Sequence, residues 1–183
     1  MKFRKVPQID GIRISQVTSV TDVRGSFVKF HPLREFENSL DSVAFSINPN
    51  VGTIRGMHFQ VEPFAEEKLV TCAQGRIFDV AVDLRPNSKT FGMWTTFELS
   101  ATNALQLYLP KGIAHGFQTL EPNSIIHYTL SSPYSPEFSF AIDPLSDLGI
   151  DWPIEASSVS ERDRGGISFL TAGKKYADSL KRL

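Results

Sequence analysis

Hydrophobic residues in this chain fall in short runs, many alternating with polar ones, and turn-forming residues break each run before it reaches helical length. A period of two places successive side chains on opposite faces of an extended strand. On that basis the pattern predicts strands at 13–18, 26–30, 42–48, 53–60, 67–72, 76–84, 94–99, 104–109, 116–120 and 124–130. Turn signals separate them, among them Pro49-Asn50-Val51-Gly52, Gln74-Gly75, Arg85-Pro86-Asn87-Ser88 and Pro110-Lys111-Gly112. Many short strands with frequent turns predict an all-β sandwich or barrel. A βαβ fold needs helical patterns between its strands, and those are missing. The clearest strand, 76–84, carries Phe78, Val80, Val82 and Leu84 on one face and Ile77, Asp79, Ala81 and Asp83 on the other. The first face suits the interior between two sheets, and the second suits water, a polar cavity or basic partners. Two peripheral segments have helical character: 32–37, and the tail 174–183, where Tyr176, Leu180 and Leu183 recur at helical spacing.

Composition narrows the class. A chain of 183 residues with 41% hydrophobic and 21% charged residues is a folded protein of one domain, with a core at about 13–163 and a C-terminal extension. The net charge of -1 gives no general attraction to nucleic acid or to an anionic membrane. An anionic ligand must therefore be held by a local cluster of bases. Cys72 is the only cysteine, so no internal disulfide forms, and its apolar neighbours make it a buried thiol in a reducing compartment. The N-terminal residues lack the apolar stretch of a signal peptide, and no run is long enough to span a bilayer. The expectation is a cytoplasmic protein.

Five stretches carry chemistry. Arg55-Gly56-Met57-His58 sits in strand 53–60, where strict alternation would send Arg55 and His58 to opposite faces; a bulge at Gly56 would bring them together. His115 lies among small residues after a proline turn, which lets a ligand come close. Lys68 opens an apolar run, Tyr128 lies within strand 124–130, and Ser160-Glu161-Arg162-Asp163 is a polar stretch beyond the strands. Each alone has an ordinary structural reading. Together they supply what proton transfer beside a carbonyl needs: a base, fixed positive charge for the enolate oxygen, and a separate acid. Histidine titrates nearest neutrality and suits the base, while tyrosine, with an ordinary pKa of about 10, suits the acid. Metal-binding barrels of this kind often carry two histidines one residue apart. Here the sequence is His58-Phe59-Gln60, with glutamine in the second place, a poorer ligand than imidazole.

These residues and their surroundings resemble the dTDP-4-dehydrorhamnose 3,5-epimerases, which are cupins. The matching stretches are Asp22-Val23-Arg24-Gly25-Ser26-Phe27, Gly52 to Gln60, Lys68-Leu69-Val70, Gly75 to Arg85, Ala114-His115-Gly116-Phe117, Tyr128, Tyr134-Ser135-Pro136, Ile150-Asp151-Trp152-Pro153 and Ser160 to Asp163. The resemblance implies a jelly-roll sandwich, a homodimer, no cofactor, and a dTDP-linked 4-keto-6-deoxy sugar as substrate. It also implies that His58 is the base, oriented by Asp163, with Tyr128 as the opposing acid. Lys68 would stabilise the enolate, with Asp79 positioning it. Arg55, His115, Ser46, Asn48 and Gln60 would contact substrate, with Arg24 and Phe27 at its nucleotide diphosphate, Arg24 from the partner subunit. Tyr134 would stack on the base. The chain departs from the family's pattern at Lys29, at Pro133 and along 136–144, which leaves inversion at one carbon, or another dTDP sugar, as an alternative. A non-catalytic sugar-nucleotide cupin and a metal-dependent cupin are the readings from other classes.

Overall fold

The computed structural model describes residues 3–30, 36, 40–146 and 148–182. Two antiparallel sheets face one another. The first has the order β1(Arg4–Lys5), β2(Arg13–Gln16), β10(Leu105–Leu109), β7(Lys68–Gln74), β12(Ser124–Leu130), β5(Ser42–Asn48). The second runs β13(Ser139–Ala141), β6(Thr53–Gln60), β11(Ile113–Thr119), β8(Arg76–Asp83), β9(Trp94–Ser100), with β14(Ser158–Val159) joined in parallel to β6. A separate hairpin pairs β3(Thr18–Asp22) with β4(Gly25–Lys29). This is the all-β sandwich that the alternating pattern predicts, and β5, β6 and β12 keep its boundaries.

The expected strand 13–18 ends at Gln16; Val17 donates to the carbonyl of Ala104, and the chain then enters the hairpin. The tail helix begins earlier than expected, as α2(Phe169–Leu180), because Ser168 caps it by accepting from the Thr171 amide. Gly173 is tolerated inside it because a Cβ there would lie 2.8 Å from the Phe91 ring. The expected helix 32–37 falls outside the described residues except for Phe36, which is buried against Leu69 and Tyr108. Among the described residues no helix is long and apolar enough to cross a membrane.

One expectation is reversed. The interior between the sheets takes Ile77 and Ala81 of β8, packed with Val70, Cys72, Leu107 and Ile126 from the facing sheet. Val80, Val82 and Leu84 point outward, where Met57, Phe59, Ala172 and Tyr176 cover them. Both faces of β8 are therefore dry, and alternation cannot say which of two apolar layers lies inside. Asp79 consequently sits buried between the sheets, where it meets a basic partner, His115, as its pattern allowed. The outer layer should carry weight comparable to the inner one. Tyr176→Ala, at a side chain 4% exposed, should cost about 3 kcal/mol in urea denaturation; a loss under ~1 kcal/mol would make α2 a peripheral attachment.

Candidate active site

The site begins with an irregularity in one ladder. His115 pairs with His58, but the next partners are Phe117 and Arg55, so β6 holds one more residue than β11 across that step. The extra residue returns Arg55 to the face that His58 occupies. Gly56 has φ 129°, and a Cβ on it would lie 2.5 Å from the Gly116 Cα; a Cβ on Gly116 would lie 2.7 Å from the Arg55 carbonyl oxygen. Two glycines are needed where the backbones come this close. The bulge that Gly56 was expected to permit is present.

Each base in this region is held by a named partner. His58 Nε2 lies 2.7 Å from Asp163 Oδ1, and the Gly56 N–H donates to Asp163 Oδ2 at 3.1 Å. Asp163 comes from α1(Glu161–Arg164), capped by Ser160. Burial pushes its carboxyl up, but the bonds from His58, Gly56 and Ser160 outweigh this and hold it below the usual carboxylate range. An ionised acceptor at Nε2 keeps the proton there and leaves the lone pair on Nδ1. His115 Nε2 is 2.7 Å from Asp79 Oδ2, with both side chains buried. Burial raises the Asp79 carboxyl against the opposing pull of His115 and Lys68. Lys68 Nζ is 3.1 Å from Glu66 Oε1 and donates to the His58 carbonyl at 3.5 Å.

The facing sheet supplies the phenol. Register sets Tyr128 beside Val70 on β7 and Ala44 on β5, and its ring stands edge-on to His115 with centroids 6.1 Å apart. Burial, with the Asp79 charge adding to it, raises the phenol well above its ordinary range. Two cavities of about 220 and 210 Å³ both have His58, Lys68 and Tyr128 in their walls. One continues to Tyr134 and Arg162, the other to Arg55, His115 and Ser46. His58 thus shares the walls of these cavities with the Tyr128 phenol and the Lys68 ammonium.

The model of the dTDP-4-dehydrorhamnose 3,5-epimerase family matches residues 7–170. The chain belongs to this family. It is 42% identical over 151 residues to the dTDP-4-dehydrorhamnose 3,5-epimerase of Sinorhizobium fredii, covering 78% of this chain and 76% of that one. Its fold is similar to NovW, a 4-keto-6-deoxy sugar epimerase of Streptomyces spheroides, with TM-score 0.87 and 30% identity over 95% of this chain and 90% of the other. It is also similar to ChmJ, a 3'-monoepimerase of Streptomyces bikiniensis solved with dTDP-quinovose: TM-score 0.85, 26% identity, and coverage of 97% and 95%.

Within this epimerase-family chain the remaining expected residues divide. Ser46 lines the second cavity. Asn48 is buried, and its Oδ1 accepts from Arg55 Nε at 2.7 Å while its amide donates to Ser46 and Ser124. It aims the arginine, with both ends of its amide engaged inside the protein. Gln60 reaches the Phe64 and Pro133 carbonyls and accepts from the Ser135 amide, so it braces the loop that carries Tyr134. Asp79 was expected to position Lys68, but its hydrogen bond goes to His115 because the β8–β11 register sets the two diagonally on one face; Glu66 takes the lysine. Arg24 and Phe27 lie on the β3–β4 hairpin, whose strands are exposed throughout, and Arg24 is bonded to Asp22. Within one chain they line a different cavity from His58.

Two residues escaped the sequence reading. Glu66 is one. Arg162 donates to the Tyr134 hydroxyl at 3.2 Å and to Ser139 Oγ at 2.9 Å, which draws all three into one wall. Its adjacency to Asp163 was the available signal. Burial pushes the Cys72 thiol up to about 12, so it is no nucleophile at neutral pH. Gly116→Ala tests the bulge: the new methyl would sit 2.6 Å from Met57 Sδ, and thermal unfolding should register a loss of more than ~2 kcal/mol. Wild-type melting behaviour would mean the ladder can relax around the extra carbon.

Proposed function

We propose that this chain is an epimerase that inverts C3 and C5, the carbons flanking the ketone of a dTDP-linked 4-keto-6-deoxyhexose, in deoxysugar biosynthesis. One observation carries the reading: His58 on one sheet and Tyr128 on the other open onto the same cavity, with Asp163 behind the histidine and Lys68 in the shared wall. A C–H beside a ketone is a weak acid, so the base must be close and the enolate oxygen must meet fixed positive charge. His58 Nδ1 takes the proton, and Lys68 with His115 stabilises the oxyanion. Tyr128 then delivers its phenolic proton to the carbon from the opposite face. The raised phenol suits this step, because it keeps its proton until the strongly basic enolate carbon presents itself. No step draws on a cofactor.

Arg55, aimed by Asn48, and His115 hold the substrate, and Tyr134, backed by Arg162, stacks on the nucleotide base. Arg24 and Phe27 serve the diphosphate end in a homodimer, each hairpin reaching the partner subunit's site. Two features support this arrangement. Phe27 is 71% exposed on a hairpin that projects from the sandwich, and edge strand β5 presents Val43, Phe45 and Ile47 to solvent. An apolar sheet edge of this kind is ordinarily covered.

A second reading, inversion at a single carbon, is favoured by the likeness to the 3'-monoepimerase and by the unusual stretch 136–144, whose β13 borders β6 with Ala141 opposite His58. Proton NMR of dTDP-4-keto sugars in heavy water separates the two. Deuterium should enter at C3 and C5 without added cofactor; entry at one position selects the second reading, and binding without exchange would refute both. Asp163→Asn should lower exchange by about 10²–10⁴-fold through loss of the correct tautomer, by analogy with other His–Asp pairs. Tyr128→Phe should slow inversion at least tenfold more than it slows exchange. Equal slowing of the two would remove Tyr128 from the acid role.

A further inference from the structure

Three carboxylates each hold a base that lines the cavities: Asp163 holds His58, Asp79 holds His115, and Glu66 holds Lys68. The first two pairs have places in the reaction above. Glu66 has none. It precedes β7, lines the cavity that holds His58 and Tyr128, and lies 3.1 Å from the Lys68 ammonium, with its side chain 12% and that of Lys68 9% exposed. Exposed ion pairs contribute little, but this one is largely withdrawn from water and faces the reacting centre. Resting on the epimerase reading, we propose that Glu66 is a positioning residue that fixes the Lys68 ammonium so that one of its N–H groups is left for the ketone oxygen of the sugar nucleotide.

The donors can be counted. An ammonium has three N–H groups on a flexible four-carbon stem. Glu66 takes one, the His58 carbonyl takes a second at 3.5 Å, and the third has no partner among the described residues. Asp79 also interacts with Lys68 through its charge; its Oδ2 is committed to His115, and its buried Oδ1 has no hydrogen-bond partner among the described residues. An unsatisfied buried carboxylate oxygen draws a nearby ammonium toward itself. Glu66 therefore opposes a pull that would draw Lys68 toward Asp79. The paired state also keeps the resting site close to neutral, so the ammonium acts mainly as negative charge develops on the oxygen. An interaction of that kind appears in kcat and not in KM.

The test compares Glu66→Gln, Glu66→Ala and Glu66→Asp with the wild type in heavy water. Glu66→Gln should lower kcat about tenfold and Glu66→Ala further, with KM within about twofold. Exchange and inversion should fall in parallel, unlike the divergence expected of Tyr128→Phe, because enolate formation precedes both. Glu66→Asp, which retains the charge, should recover part of the rate, and crystal structures of the Gln and Ala variants should show Lys68 Nζ displaced. Unchanged kcat, a rise in KM alone, or Lys68 unmoved would overturn the inference. If the wild type exchanges no dTDP-4-keto sugar, the epimerase reading fails by itself, and the position of Lys68 in the variant crystals still decides the role of Glu66.

Discussion

The contact on which the site depends is the one between two stretches of backbone with no side chains between them, at Gly56 and Gly116. Strand geometry assigns alternate residues to alternate faces, and Arg55 and His58 differ by an odd number of positions. Only an added residue in the ladder lets both enter the space between the sheets, and only glycines let the two strands close again around it. His115 pairs with His58 across the same ladder, so this one departure from regularity sets the positions of three charged or titratable groups.

Around that point the two sheets divide the chemistry. One contributes imidazoles and a guanidinium, whose directions are fixed by buried carboxylates or by the Asn48 amide. The other contributes the phenol and the ammonium. In the proposed reaction a planar carbon held between them would be met from two sides by groups of different basicity, which inversion requires. The rigid part of this arrangement is the ladder register, since Tyr128 is locked between Val70 and Ala44 by backbone hydrogen bonding. The loop bearing Tyr134 is tied to β6 by two hydrogen bonds of Gln60, to the Pro133 carbonyl and from the Ser135 amide.

Much of the fold was legible because period-two alternation reports strands directly, and β5, β6 and β12 kept their expected limits. The layer assignment of β8 was not legible. Both of its faces are covered, and a strand buried twice carries no mark of which neighbour is the second sheet and which is α2. The short strands β13 and β14 are defined by partners distant in sequence, not by their own composition. In the site, motif residues such as His58, Tyr128 and Asp163 stood out by chemical type and by resemblance. Glu66 did not, because a glutamate ahead of a strand ordinarily lies in water and only the folded loop turns it onto Lys68. For Asn48 and Gln60 the sequence shows an amide but not its partners inside the protein, which only the fold supplies, and Gln60 also lines the cavity.

The bond between His58 and Asp163 spans 105 positions of the chain. The strands that line the cavity all precede residue 142, whereas the carboxylate bonded to His58 arrives on α1, just ahead of the helix that covers the outer layer. The His58–Asp163 pair thus forms only when the C-terminal segment docks, and the same segment brings β14 onto β6 and α2 onto the outer layer of β8.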